Sequence, residues 1–376
     1  MHRFDLLSPE LRRDPYPHYR RLRDEHPVAV VEGMGWHAVT RHADVERVLR
    51  SPDEFSSSIM RGADRALLGQ DPPAHTDVRR IVSRAFDMSR IRAIEEWIGT
   101  AARSLVRGFV AAGGGDFVRE IAVELPVRVI ARLLGIGEER LADFKTWSEA
   151  IVLGASRMVP PGREAEIARH AEDFDRFFGD LVRRRRERPG DDVVSSLLVL
   201  PEEDVRSLAK LLLIAGNETT TNLMSNAMLA LFATPGLQER LRAEPLLCRA
   251  WIDETLRFDS PVQVLLRRAR TDLVLGGVPI PQGGVVAAFL GSANRDERSF
   301  PEPDDFRLDR SGPHLAFGAG PHFCAGAALS LVEATIALSI LLEETRHIEA
   351  GESPAEVPRI PALQLRGPQR LRMKVT

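Results

Sequence analysis

Three groups of residues in this 376-residue chain have types and spacings that could do chemistry. The first centres on Cys324, near the end of the glycine-punctuated loop Phe317-Gly318-Ala319-Gly320-Pro321-His322-Phe323-Cys324-Ala325-Gly326. Gly318, Gly320 and Gly326 permit backbone angles and close approaches that a side chain forbids, and Pro321 stiffens the loop. The loop runs directly into an apolar, helix-forming segment, 327–342. Unpaired N–H groups at a helix start favour an anion, so Cys324 suits a single sulfur ligand offered to a flat, bulky partner. Three other readings are a buried structural cysteine, a His322–Cys324 nucleophile and base, and a metal cage. Two residues apart on one loop is a poor place for a nucleophile and its base, and no second cysteine lies nearby to complete a cage.

The second group is a polar notch, Gly216-Asn217-Glu218-Thr219-Thr220-Thr221-Asn222, set between apolar runs. A mid-helix glycine costs about 1 kcal/mol relative to alanine, and a buried carboxylate is expensive unless partnered. A carboxylate beside a hydroxyl in a dry helix is what proton delivery to a buried oxygen needs. The competing reading is a solvent-facing patch on a half-exposed helix. The third group is His75 and Arg79, four apart and so on one helical face, where arginine's fork of donors suits a carboxylate. Read alone, the pair is equally an ordinary polar face.

The elements that must position these groups are legible from periodicity and breaks. Residues 204–232 form the longest helical stretch, apolar on every side around Leu211-Leu212-Leu213-Ile214-Ala215, as in a helix buried in a core. After Asp71-Pro72-Pro73 a helix carries His75 and Arg79. Near the N-terminus, a helix over 18–25 precedes two short β-branched runs about Gly33-Met34-Gly35, which read as a hairpin. Residues 54–70 lack periodicity and form a loop, where binding groups tend to be mounted. From 91 to 200 successive amphipathic helices follow, with no strand-like alternation of any length. After Ser260-Pro261, the segment Val262-Gln263-Val264-Leu265-Leu266 is extended and apolar, suited to lining a pocket; 359–363 is another expected wall.

Hydrophobic residues make up 44% and charged residues 28%, which describes a globular protein with ample core, and the net charge of -3 gives no sign of a nucleic-acid binder. Two cysteines, Cys248 and Cys324, are too few for a disulfide framework and point to a reducing, cytoplasmic home. The N-terminus has no apolar signal core, and no segment reads as a membrane-spanning helix.

The cysteine loop, taken with the notch, resembles the cytochrome P-450 family. The loop repeats that family's Phe, two residues, Gly, one residue, basic residue, one residue, Cys, one residue, Gly, with His322 in the basic slot. Ala215-Gly216-Asn217-Glu218-Thr219-Thr220 is similar to its oxygen-activation motif, and Glu254-Thr255-Leu256-Arg257 to its Glu-x-x-Arg motif. The resemblance covers about 14–375 and implies a single-domain, mainly α fold with a small β portion (α+β), β-rich near 14–40. It implies haem b with Cys324 as axial thiolate, a ligand that favours O–O cleavage. Glu218 is then the acid and Thr219 the alcohol of proton relay. Ala215, Gly216, Phe317, Gly318 and Gly326 border the cofactor, and His75, Arg79, Arg267 and His322 hold its propionates, with Arg268 making the register of Arg267 uncertain by one. Glu254, Arg257 and Arg310 form a buried structural triad. Met60, Val262, Val264, Leu265 and Leu363 line the substrate pocket; Arg61 is a candidate anchor and 160–161 a candidate lid.

The implied activity is monooxygenation, hydroxylation or epoxidation, of a small, largely apolar substrate with O₂, with secondary metabolism as a candidate setting. Electrons are expected from a separate ferredoxin and its reductase, docking on a basic face of Arg79, Arg80 and Arg84. The expected protein is monomeric, with no membrane insertion. The rivals are a haem-thiolate enzyme that uses peroxide or performs dehydration or coupling, and a non-catalytic haem-bearing partner. The intact Glu218-Thr219 pair argues against the peroxide user.

Overall fold

The longest apolar stretch of the chain becomes its axis. In the computed structural model, which describes residues 2–6, 8–59, 67–155, 162–310 and 312–376, a single helix of 32 residues spans Glu202–Ala233. Glu202, Glu203 and Asp204 occupy its first turn, where carboxylates complement the positive end of the helix dipole. Every residue from Thr220 to Leu231 is buried, because this half is wrapped by Glu124–Leu133, Cys248–Phe258 and Ala327–Glu343. Leu141–Ala155 and Glu164–Glu187 lie across the helix as a mutually packed pair. One large cluster of aliphatic and aromatic side chains joins these helices. Burying each such side chain stabilises by about 1.5–3 kcal/mol.

The larger sheet is not confined to the N-terminal part of the chain, where sequence alone places it. Its strand order is Arg3–Phe4, Val28–Val31, Trp36–Val39, Val285–Phe289, Val264–Ala269, Phe55–Ser56. The expected hairpin forms, Val28–Val31 against Trp36–Val39, but Trp36–Val39 then pairs in parallel with Val285–Phe289. Hydrophobic side chains on both faces allow this, since a strand buried on both sides needs partners from elsewhere in the chain. A second departure is the short strand Gly114–Asp116, which pairs with Arg372–Val375 at Gly113-Gly114-Gly115, read from sequence as a break between helices with no strand.

Strand alternation decides which side chains the sheet offers to the cysteine loop. Val264 and Leu266 face a cluster containing Tyr16, Tyr19 and Phe289. Leu265 and Ala269 face the opposite cluster, together with Leu315 and Ala319 of the cysteine loop. Arg267, two residues from each, lies on that same side.

Candidate active site

The cysteine loop is pressed onto the end of helix His42–Arg50. Gly320 has φ 69°, and a Cβ there would stand 2.5 Å from the Leu49 carbonyl oxygen, so both conformation and contact demand glycine. Gly318, at φ 72°, is also left-handed. Gly326 has φ -90°, and no described residue beyond its chain neighbours would come within 4 Å of a Cβ at this position, so neither left-handed backbone nor contact with a described residue calls for glycine there. The Cys324 N–H donates to the Phe317 carbonyl at 2.9 Å, closing the loop, and the helix begins three residues later, at Ala327.

Burial pushes the Cys324 thiol up, against the opposing pull of the Gly326 N–H and of Arg79. The helix start alone therefore does not make a thiolate here; a bound cation is needed to take the proton's place. Yet Cys324 keeps exposed surface. The sulfur is thus accessible and yet crowded by protein atoms, as a ligand set in a recess would be.

The notch lies on the helix that packs against the one following the cysteine loop. Ala215 is exposed and Glu218 and Thr219 half-buried, while their neighbours Leu213, Asn217 and Thr220 are buried. Gly216 packs against Ile130, whose Cδ1 would lie 3.0 Å from a Cβ, so alanine here would push that side chain aside. The Thr219 hydroxyl donates to the Ala215 carbonyl at 2.7 Å, which leaves its oxygen free to accept. Burial raises the Glu218 carboxyl to about 7. Thr220 exchanges a hydrogen bond with Ser330 of the helix after the cysteine loop at 3.0 Å, and the Asn217 amide donates to Ser148 at 3.2 Å.

A group of cations closes one side. His75 is 1% exposed, and neither ring nitrogen has a hydrogen-bond partner among the described residues. Its ring lies 4.0 Å from that of His322, whose Nε2 meets Ser57 Oγ at 3.1 Å. Arg267 is 7% exposed, its guanidinium donates to the Leu266 carbonyl, and burial lowers it to about 10. Arg268 instead donates to the Gly283 carbonyl, which removes the ambiguity of register. Arg79 is half-buried, bonds Ser83, and feels the Cys324 sulfur. It therefore turns inward rather than joining Arg80 and Arg84, which are exposed. Burial, reinforced by the neighbouring cations, depresses His75 and holds His322 at about 3. Among the described residues, none of Arg79, Arg267, His75 and His322 has a carboxylate in salt-bridge contact. Buried guanidinium groups without counter-ions are costly; one or two carboxylates would relieve Arg79 and Arg267 and accept hydrogen bonds from the two histidines.

Beneath this group, Glu254 accepts from Arg257 at 2.7 and 2.8 Å and from Arg310 at 3.0 Å, with Glu254 and Arg257 side chains 3% exposed. Arg257 also donates to the carbonyls of Asn294, Pro303 and Asp305. The four described pocket-wall candidates divide between two clusters. Val264 and Leu363 belong to the N-terminal cluster, Val262 and Leu265 to the cysteine-loop side, and Met60 lies outside the described residues, as do Arg61 and 160–161. Val264 is turned away because a strand alternates its side chains. Sequence reasoning also passed over Ser57, which touches His322 from a segment with no periodic signal.

The cytochrome P450 family model matches residues 195–373. Cytochrome P450 CYP109Q5 from Chondromyces apiculatus superposes with a TM-score of 0.91 at 35% identity, covering 100% of this chain and 98% of that one. CYP109E1 from Bacillus megaterium, solved in complex with testosterone, gives a TM-score of 0.89 at 34% identity, covering 96% and 99%. The vitamin D(3) 25-hydroxylase of Pseudonocardia autotrophica is 35% identical over 365 residues, 90% of this chain and 88% of its own. The chain belongs to the cytochrome P450 family of haem-thiolate monooxygenases.

Proposed function

We propose that this P450 inserts one oxygen atom from O₂ into a small, largely apolar substrate of steroid-like size, with electrons from a separate ferredoxin. The reading rests on an accessible Cys324 and a half-buried Glu218–Thr219 notch carried on helices that pack together, and it puts the two on one cleft. The donor set fits a haem of the b type. Cys324 offers one sulfur, and the cations opposite lack carboxylates that two propionates would provide. Cys324 would hold the iron and Arg79, Arg267, His75 and His322 the propionates, with Ala215 and Gly216 bordering the ring. Once bound, the haem supplies the activation of O₂ that no side chain can.

The protein's own residues then manage protons and water. Glu218, near 7, carries a proton over part of the physiological range and can release it into the cleft. Thr219, its own proton committed to the Ala215 carbonyl, accepts a hydrogen bond from a protonated group beside it. Leu265 and Val262 offer apolar surface on the cysteine-loop side. Two of the relatives named above act on vitamin D(3) or bind testosterone, which supports an apolar substrate of steroid-like size. Exposed Arg80 and Arg84 support an acidic electron donor. No helix among the described residues is long and apolar enough to cross a membrane.

The test is spectroscopic. Reduced protein under carbon monoxide should show the red-shifted Soret band of thiolate ligation, lost in Cys324→Ser and kept in Cys248→Ser. Addition of a steroid panel should move the ferric spin state, and turnover with a surrogate ferredoxin and reductase should give a product heavier by one oxygen. A band that survives Cys324→Ser overturns the assignment.

A further inference from the structure

We propose that Asp71 is the positioning residue of the cation cradle, and that Ser57 is the arm through which it places His322. This rests on the reading above that His75, Arg79, Arg267 and His322 hold the carboxylates of the haem. Those four basic residues come from three pieces of chain: His75 and Arg79 on helix Ala74–Ala85, Arg267 on strand Val264–Ala269, His322 on the cysteine loop. Asp71 ties these pieces together. Its Oδ1 accepts the Ser57 N–H at 2.8 Å. Its Oδ2 accepts from the Ser56 hydroxyl and from Arg270, both at 2.5 Å. Its carbonyl accepts the His75 N–H at 3.0 Å, in the opening turn of the helix. Arg270, three residues beyond Arg267, continues the link by donating to the Pro52 carbonyl at 2.7 Å. Ser57, 1% exposed, then meets His322 at 3.1 Å.

Both oxygens of Asp71 are therefore engaged by groups outside the cradle, and it pairs with none of the four cations. Its charge still reaches them, opposing the mutual repulsion of His75, Arg267 and His322. A carboxylate that was merely neutralising the cluster would sit among the guanidinium groups; this one holds the three segments in register and leaves the cations free. Asparagine keeps the shape but places an amide where Ser56 and Arg270 now donate, so it breaks the tie at that point.

The experiment uses the haem-loaded protein and measures two quantities in Asp71→Asn, Ser57→Ala, the double variant and Arg267→Gln. These are the rate of haem loss to an excess of a haem-scavenging apoprotein and the ferric–ferrous potential. Loss of charge-assisted hydrogen bonds at Asp71 should speed haem loss roughly 10- to 100-fold. Ser57→Ala should have a smaller effect, and the double variant should match Asp71→Asn alone, because Asp71 acts through Ser57. The potential should rise in Asp71→Asn, since removing a negative charge favours the form carrying the extra electron, a shift that a purely structural role does not produce. Parent-like haem loss in Asp71→Asn, with faster loss in Arg267→Gln, overturns the positioning role and leaves the cradle standing. Parent-like loss in Arg267→Gln overturns the cradle itself. Additive effects of Asp71→Asn and Ser57→Ala overturn the arm. Should Asp71→Asn fail to load haem, Ser57→Ala decides, with an unchanged rate and potential counting against the proposal.

Discussion

A hydroxyl that donates to its own helix is the most informative residue-scale feature of the cleft. Thr219 bonds the Ala215 carbonyl at 2.7 Å, so its proton is not the first to move; Glu218, raised by burial to about 7, holds the mobile one. This division predicts how Thr219→Val behaves. Valine fills nearly the same space, so haem loading, substrate binding and electron uptake should stay near the parent. The accepting oxygen is lost, and reducing equivalents should leave increasingly as hydrogen peroxide instead of oxygenated product. A general acid–base contribution of about 10²–10⁴ is at stake. Product and peroxide counted per reducing equivalent check this, and unchanged coupling would show that protons reach the cleft without Thr219. The notch was legible in the sequence because glycine, a carboxylate and three threonines break an apolar helix. The facing of Val264 was not, because Val262-Gln263-Val264-Leu265-Leu266 is apolar on both faces and carries no phase. Ser57 was equally hidden: its importance comes from a histidine far along the chain.

At the scale of elements, the helix Cys248–Phe258 is fastened to the chain that leads into the cysteine loop by Glu254 and Arg257. Arg257 spends its guanidinium on Glu254 and three carbonyls, and Glu254 also accepts the Arg307 N–H at 2.9 Å and Arg310 at 3.0 Å. Removing Glu254 strands two guanidinium groups where side chains are 3–12% exposed. Losing one member of a buried pair costs about 3–5 kcal/mol. Glu254→Ala should therefore unfold at distinctly lower denaturant and yield little haem-loaded protein; a well-loaded variant with only its turnover lowered would contradict this. The pair was visible as an i,i+3 spacing, but such pairs are common on exposed helices and contribute little there. The neighbouring carbonyls distinguish this one, and they are contributed by an irregular segment with no pattern of its own. The same limit applies to the sheet: the hairpin near the N-terminus is local, while its parallel pairing with Val285–Phe289 joins distant parts of the chain.

The whole molecule carries opposing sets of buried titratable groups, and they set its response to pH. His42, His75, His314 and His322 are all lowered, chiefly by burial. Below about 6.5 the unfolded chain protonates them while the folded protein resists, so they weaken the fold as pH falls. Glu333 does the reverse. It lies 2% exposed on helix Ala327–Glu343, its Oε2 lacks a partner among the described residues, and burial raises it to about 8. Between the ordinary value of 4.5 and about 8, the unfolded chain releases this proton and the folded protein keeps it. Stability from Glu333 is thus complete below 4.5 and is lost as pH rises towards 8, at roughly 1 kcal/mol per pH unit. Glu218, raised to about 7, acts in the same direction between 4.5 and about 7, and the histidines oppose both carboxyls below about 6.5. The histidines are common to both proteins and cancel, so Glu333→Gln, a neutral replacement of the same shape, should already exceed the parent near pH 6 and exceed it by more near pH 8. Denaturant midpoints of the two haem-loaded proteins across that range measure the widening gap. Curves that run parallel would mean Glu333 titrates as an ordinary carboxylate, with solvent reaching it inside the helical core.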